Sequence, residues 1–192
     1  GTRGKRDELL SEISADKNSI ILLSIGELSD RKNHGVSIKA LSQIKNKNIH
    51  LVIAGTGEKR EEFLALAKEL GVDGRVHLLG FRTDVKDLLK ISDVAVASSQ
   101  REGLPVNVME AMACGLPSIV TDIRGHRDLV RNNKNGFVVK KDHMEFVEKI
   151  SLLIEDENKK KAFGEESLNQ IKAYEVKRIN EEIEKLYKQL VQ

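Results

Sequence analysis

The sequence predicts an α/β fold: a doubly wound, parallel, six-stranded Rossmann-like sheet with helices on both faces and extra C-terminal helices. Three observations predict it. Short apolar runs alternate with segments of helical period along most of the chain. Each apolar run is nearly continuous rather than alternating, as expected for strands covered on both faces. Strand-helix alternation requires right-handed crossovers, which make the strands parallel.

Each element has a local reason. Residues 1–18 are polar and charged and predict a short helix near Asp7–Ile13. Strands are expected at Ile20–Ile25, His50–Ala54, Val76–Leu79, Val94–Ala97, Ser118–Val120 and Phe137–Val139. Helices are expected between them, at 34–46, 58–70, 84–91, 105–114, 125–131 and 142–155. Gly55-Thr56-Gly57 closes one strand and opens a helix. Asp84 is expected to cap the helix that follows it. Pro105 suits a first helical turn. Gly115 stands where a helix should stop, and Pro117 suits the first position of a strand. Residues 156–192 carry no strand signal and read as charged helix. Ile179, Ile183, Leu186, Tyr187 and Leu190 recur at four-and-three spacing, one apolar stripe. The expected organisation is a linker remnant at 1–18, a Rossmann-like domain at 19–175 and an amphipathic helix at 176–192.

Composition narrows the function. The chain has 192 residues, enough for one well-cored domain. A net charge of +2 lacks the concentrated basic face that nucleic acid demands, and with 4% aromatics and no Trp there is no stacking platform. The single cysteine, Cys114, excludes an internal disulfide and fits a reducing compartment. No apolar run reaches the roughly 18–20 residues a membrane-spanning helix needs. Residue 1 is Gly and no signal-peptide pattern follows, so the chain reads as part of a longer protein.

Ligands of open parallel sheets bind beyond the carboxyl ends of the strands. Four segments fall there: Gly26–Asn33, Gly55–Gly57, Gly80–Thr83 and Ser98–Glu110. The last is the most informative. Glu102 precedes a helix start, and Glu110 lies about 7–8 Å along that helix from the first turn, at ~1.5 Å per residue. The amides of Gly103, Leu104 and Val106 are expected to face an anion at the helix N-terminus. This spacing suits a sugar joined to a nucleoside through a diphosphate. Glu102 would accept from sugar hydroxyls, the helix start would hold the phosphates, and Glu110 would accept from the ribose hydroxyls. The plain alternative is a capping acid followed by a solvated one. The apolar Ala111-Met112-Ala113 makes Glu110 an odd choice for a helix that looks buried.

Lys32 can neutralise a diphosphate as a point charge, or be an ordinary loop lysine. Gly26 lies in the same loop. Gly55 and Gly57 permit close backbone approach, or mark a plain tight turn. Gly80-Phe81-Arg82 could edge a nucleobase, or Phe81 could be core. His126, near a strand end, reads first as a polar helix-start residue. Cys114 reads as packed and inert. No His/Cys cluster has metal-ligand spacing, and neither a phosphate-binding Gly-Lys-Ser/Thr loop nor a serine elbow is present.

The motifs in order resemble the C-terminal, donor-binding domain of a GT-B-fold glycosyltransferase of family 4, the large retaining group. The resemblance runs from about Ile20 to the C-terminus. It is carried by Ser24-Ile25-Gly26-Glu27-Leu28, Lys32-Asn33-His34, Val52-Ile53-Ala54-Gly55-Thr56-Gly57, Val76-His77-Leu78-Leu79-Gly80-Phe81, Ser92-Asp93-Val94 and Asn135-Gly136-Phe137-Val138-Val139. It is strongest at Glu102 to Glu110 with the Ala-Met-Ala-Cys-Gly-Leu-Pro that follows. The resemblance implies that Lys32 binds the diphosphate, Glu102 the donor sugar and Glu110 the ribose. It implies that the Gly103 and Leu104 amides complete the phosphate site and that Phe81 and Arg82 lie by the base. It further implies hexosyl transfer with retained configuration and without a metal or other cofactor. The donor expected is a UDP-sugar, and the leaving diphosphate deprotonates the acceptor.

Two departures stand out. Many members carry an arginine where this chain has Glu27, and use it beside the lysine on the diphosphate. Arg101 or Arg124 is the expected substitute, unless Glu27 turns away. The acceptor-binding domain that precedes this one in such enzymes is not in the chain, so nucleotide binding with little or no transfer is expected. Gly-Glu-Leu, Lys-Asn-His and Arg124-Gly125-His126-Arg127-Asp128 resemble a bacterial capsular or exopolysaccharide branch, which implies a cytoplasmic enzyme at the inner membrane face. Two other readings stay open: a GT-B-related nucleotide-sugar epimerase, and a non-catalytic doubly wound ligand-binding module.

Overall fold

The computed structural model describes residues 1–172. Six parallel strands form one sheet in the order β3-β2-β1-β4-β5-β6. They are β1 (Ile20–Ile25), β2 (Ile49–Ala54), β3 (Val76–Gly80), β4 (Val94–Ala97), β5 (Ser118–Thr121) and β6 (Gly136–Val139). The helices are α1 (Thr2–Glu12), α2 (His34–Gln43), α3 (Arg60–Glu69), α4 (Val85–Ile91), α5 (Val106–Ala113), α6 (Arg124–Arg127) and α7 (His143–Glu155). Residues 157–172 are also helical. The apolar stripe expected at residues 179–190 lies outside the described residues.

The continuous apolar strands split their side chains between two cores, as the pleat requires. Leu22, Leu51, Ile53, Val94 and Val96 face one side, under Ile38 and Leu41 of α2, Phe63 of α3 and Phe146, Ile150 and Leu153 of α7. Ile21, Leu23 and Val52 face the other, under Leu9 and Leu10 of α1, Leu88 and Leu89 of α4 and Ala111 of α5. Each such Leu or Ile contributes about 1.5–3 kcal/mol by leaving water. A polar residue in the middle of β1 or β2 has no solvated face to occupy.

Several boundaries differ from the sequence expectation, each for a visible cause. α1 begins at Thr2, five residues early, where Arg6 is held at the amino ends of the central strands β1 and β4 by Ser19 O at 2.7 Å and Asp93 at 3.0 Å. α2 stops at Gln43, where Ile44 turns extended. The helix expected over 125–131 is the single turn Arg124–Arg127. Asn135 diverts the rest into a loop: its Oδ1 accepts from Arg131 N at 2.7 Å and its Nδ2 donates to Leu129 O at 3.1 Å. Asp84 holds the cap position of α4, yet its carboxylate makes no cap bond. Both oxygens go to Arg82 instead, at 2.8 and 2.7 Å. A bidentate, charge-assisted pair outcompetes a single backbone amide. Pro105 is the N-cap of α5 rather than part of its first turn, and Pro117 precedes β5 rather than opening it. Gly115 ends α5 as expected, with φ of 68°.

Candidate functional site

The strand order reverses between β1 and β4, the switch point above whose carboxyl ends a doubly wound sheet forms its ligand crevice. The β1–α2 loop, Gly26–Asn33, forms one wall. The β4–α5 loop, 98–105, forms the other. Hydrogen bonds join them. Ser98 Oγ donates to Asn33 O at 2.9 Å and to Lys32 O at 3.2 Å. The Gln100 amide donates to Arg31 O at 2.8 Å. Asn107, on the first turn of α5, donates through Nδ2 to Ile25 O at 3.0 Å and ties the helix start to the end of β1.

Glu102 sits at the centre, its side chain only 7% exposed. Lys32 Nζ donates to Oε1 at 2.6 Å and Ser99 Oγ donates to the same oxygen at 2.8 Å. Arg31 Nη1 donates to Oε2 at 3.0 Å. Burial pushes the Glu102 carboxyl up, but the bonds from Lys32 and Ser99 and the two nearby cations outweigh it, so it is held below the usual carboxylate range. Lys32 itself is 12% exposed. Its stem crosses Gly26, where an added Cβ would stand 2.9 Å from Lys32 Cε.

The loop behind this cluster is equally tight. Thr121 Oγ1 donates to Ser99 O at 2.6 Å. Gly125, in α6, packs so closely on the Glu102 loop that a Cβ there would lie 2.6 Å from Glu102 O. His126 is fully buried, more than a polar helix-start residue should be. Its Nδ1 donates to Thr121 O at 2.9 Å, so Nε2 carries the lone pair, without a hydrogen-bond partner among the described residues. Burial keeps this ring neutral by pushing its pKa down. On the other wall, Ser24 Oγ donates to His34 Nδ1 and His34 Nε2 donates to Glu27 O, both at 3.1 Å.

The remaining expected residues fall around the crevice in different states. Gly103 and Leu104 are exposed, and neither amide is engaged among the described residues. The Val106 amide, expected to be free, donates to Leu104 O at 3.0 Å. Glu110 is exposed, which corrects its reading as an acid on a buried helix. Helical period turns Val108, Ala111 and Met112 inward and leaves Glu110 on the solvent side. Phe81 is 78% exposed and is not core. The Arg82 side chain is held by Asp84 and by Glu12 of α1 at 2.8 Å. Gly55 and Gly57 first serve the fold: a Cβ on Gly55 would strike Gly26 O at 1.9 Å, and one on Gly57 would strike Leu28 O at 2.4 Å. Cys114 is partly buried and burial pushes its thiol pKa up, consistent with an inert packed residue.

Arg31, Ser99, Ser98 and Asn107 were not singled out from the sequence. Arg31 stands beside Lys32 in the chain, which is its one readable signal. Arg101 and Arg124, the expected extra cations, are exposed and make no ion pair among the described residues. Glu27 is 59% exposed and lies 3.8 Å from Arg31.

A nearly buried acid clasped by two cations thus lies before the start of α5, at the switch point of a doubly wound, Rossmann-like sheet. The chain belongs to the family described as glycosyl transferases group 1, which matches residues 5–170. It is 36% identical over 174 residues to EpsD of Bacillus subtilis (strain 168), assigned provisionally as a glycosyltransferase, covering 89% of this chain and 46% of that protein. It is 32% identical over 187 residues to a Campylobacter jejuni GalNAc-alpha-(1->4)-GalNAc-alpha-(1->3)-diNAcBac-PP-undecaprenol alpha-1,4-N-acetyl-D-galactosaminyltransferase, covering 94% of this chain and 51% of that enzyme. Among solved structures, Anabaena Alr3699/HepE in complex with UDP-glucose superposes with a TM-score of 0.87 at 25% identity, over 97% of this chain and 53% of that one. The chain thus spans about half the length of these relatives. Among the described residues, no helix is long and apolar enough to cross a membrane.

Proposed function

We propose that residues 19–175 are the donor-binding, C-terminal half of a retaining GT-B-fold glycosyltransferase of family 4. The carrying observation is the contact between Lys32 and Glu102, on the two loops that flank the switch-point crevice. It brings a cation for phosphate and an acceptor for sugar hydroxyls within one bond of each other. In this reading Lys32 and the Gly103 and Leu104 amides hold the diphosphate. Glu102 takes the sugar, Glu110 the ribose, and Gly26, Gly55 and Gly57 shape the floor. Phe81 and the Arg82 backbone edge the base. The donor is a UDP-sugar, a choice supported by UDP-glucose in the Anabaena relative. Stabilising the departing diphosphate is then the main catalytic contribution of these residues, with no protein base required.

The acceptor is a lipid-linked glycan, as in the undecaprenol-linked substrate named for the Campylobacter enzyme. The pathway is bacterial surface polysaccharide synthesis of the capsular or exopolysaccharide type, at the cytoplasmic face of the membrane. The acceptor half, which this chain lacks relative to its longer relatives, must close over the crevice before transfer occurs. The test is a thermal-shift panel of UDP, GDP and ADP at millimolar concentration, repeated with Lys32→Ala. Ligand binding raises the melting point by mass action. A rise with UDP that Lys32→Ala removes is expected. No rise with any nucleotide would favour a non-catalytic module and overturn the reading.

A further inference from the structure

Three cationic or hydroxyl groups converge on Glu102, and they are unequal. Lys32 is nearly buried and has little freedom to leave. Arg31 is 39% exposed and reaches the rim. Arg31 also stands 3.8 Å from Glu27, whose own exposure leaves it a weak, solvated partner. The cluster of Arg31, Lys32 and Glu102 therefore carries one net positive charge. It opens beside amides that have no partner among the described residues. A diphosphate brings two to three negative charges in place of the single one Glu102 supplies. Arg31 can meet it through a planar fork of donors, which matches two phosphate oxygens at once, whereas Lys32 offers a point charge.

We propose that Arg31 is a second cation for the ligand's diphosphate, and that Glu102 is a placeholder counter-ion which holds Arg31 and Lys32 in position until the ligand arrives. The inference rests on the nucleotide-sugar reading above and deepens it. On binding, the phosphates take over the two cations, and the Glu102 oxygens are released to accept from sugar hydroxyls. A nucleoside diphosphate without a sugar must break the cluster and leaves a buried carboxylate with fewer donors. A nucleotide-sugar breaks the same contacts and replaces them. Glu102 then selects the intact donor over the spent nucleotide by penalising the latter, which also favours product release. Arg31 already contacts Glu102, whereas Arg101 and Arg124 pair with no acid among the described residues.

The test is isothermal titration of UDP, UMP and UDP-glucose against the wild-type chain, Arg31→Ala, Arg31→Lys and Glu102→Gln, with each variant's melting curve as a folding control. Losing a charge-assisted contact should weaken UDP roughly tenfold or more in Arg31→Ala, with UMP much less affected. Arg31→Lys should recover part of the loss. Glu102→Gln keeps the shape but cannot hold two cations. UDP should bind it at least as tightly as wild type, and the preference for UDP-glucose over UDP should fall. Unchanged UDP affinity in Arg31→Ala overturns the inference while the nucleotide site stands. Weakening of UDP by Glu102→Gln to the same extent as by Arg31→Ala overturns the placeholder role. If wild type binds none of the three compounds, the nucleotide-sugar reading fails and the inference fails with it.

Discussion

Glu102 is positioned from behind as much as from the front. Lys32, Arg31 and Ser99 grip its carboxylate, while its carbonyl rests on Gly125 with no room for a side chain. The substitution Gly125→Ala places a methyl 2.6 Å from a backbone oxygen, so one of the two loops must move. The expected cost is about 1–3 kcal/mol, the range for overpacking a tight site. The melting temperature should fall, and UDP binding should weaken more than the stability loss alone explains, because the moved loop carries Glu102, Gly103 and Leu104. Melting and titration of the same variant separate the two effects. Wild-type UDP affinity in a destabilised Gly125→Ala would mean that the loop's placement is not what the ligand reads. Of these residues, Lys32 stood out in the sequence by its place in the first strand-helix loop and Glu102 by its spacing to Glu110, and the fold brings the two into contact. Ser99 and Gly125 were not. A serine after a strand and a glycine at a helix start are ordinary until the fold sets them against Glu102.

At the scale of elements, the site depends on α5 being fastened to β1, its neighbour across the switch point but far along the chain. Asn107 makes that fastening by donating to Ile25 O, from a side chain whose Oδ1 is buried without a partner among the described residues. Asn107→Leu removes the donor to the partly buried Ile25 carbonyl, at a cost of about 1 kcal/mol or more. It should also let the helix start drift, with a fall in nucleotide affinity. Asn107→Asp is the sharper comparison, since a carboxylate facing a carbonyl repels it. Both should be read by chemical denaturation and by UDP titration. A variant that unfolds at the wild-type denaturant concentration would show the bond to be dispensable. The strands and their order of occurrence were readable because continuous apolar runs survive any context. Helix ends were read less well, since they turn on single side-chain competitions. Asp84 was expected to cap α4 but is taken by Arg82, and Asn135 holds the backbone beyond α6 in a loop through Leu129 O and the Arg131 amide.

Four of the five histidines, His34, His50, His77 and His126, are packed into the fold, and this sets its response to acid. His34 is held at a pKa of about 4 by burial, despite backbone hydrogen bonds that raise it, and His77 is pushed to about 4 by burial and by the neighbouring His50 ring. His50 and His126 are pushed down as well, chiefly by burial. His50 Nδ1 and His77 Nε2 lie 3.0 Å apart across β2 and β3, so protonating both rings sets two charges in contact. In the unfolded chain each ring takes a proton near pH 6.5, while in the folded protein His34 and His77 resist until about pH 4. The unfolded state therefore binds more protons in that window, and stability falls as pH falls through it. Above pH 6.5 the contribution is fully present. For His34 alone the loss amounts to about 1.4 kcal/mol per pH unit, or roughly 3 kcal/mol over the window. Urea unfolding followed from pH 7 to pH 4 should show that decline. In His34→Gln the protein starts weaker, because the bonds to Ser24 and Glu27 are altered, but its curve should flatten by about one proton's slope. His77→Gln should flatten it further by relieving the pair with His50. An acid profile with the wild-type slope in both variants would place the proton uptake elsewhere, on the carboxylates that Lys32, Arg31 and Arg82 hold ionised.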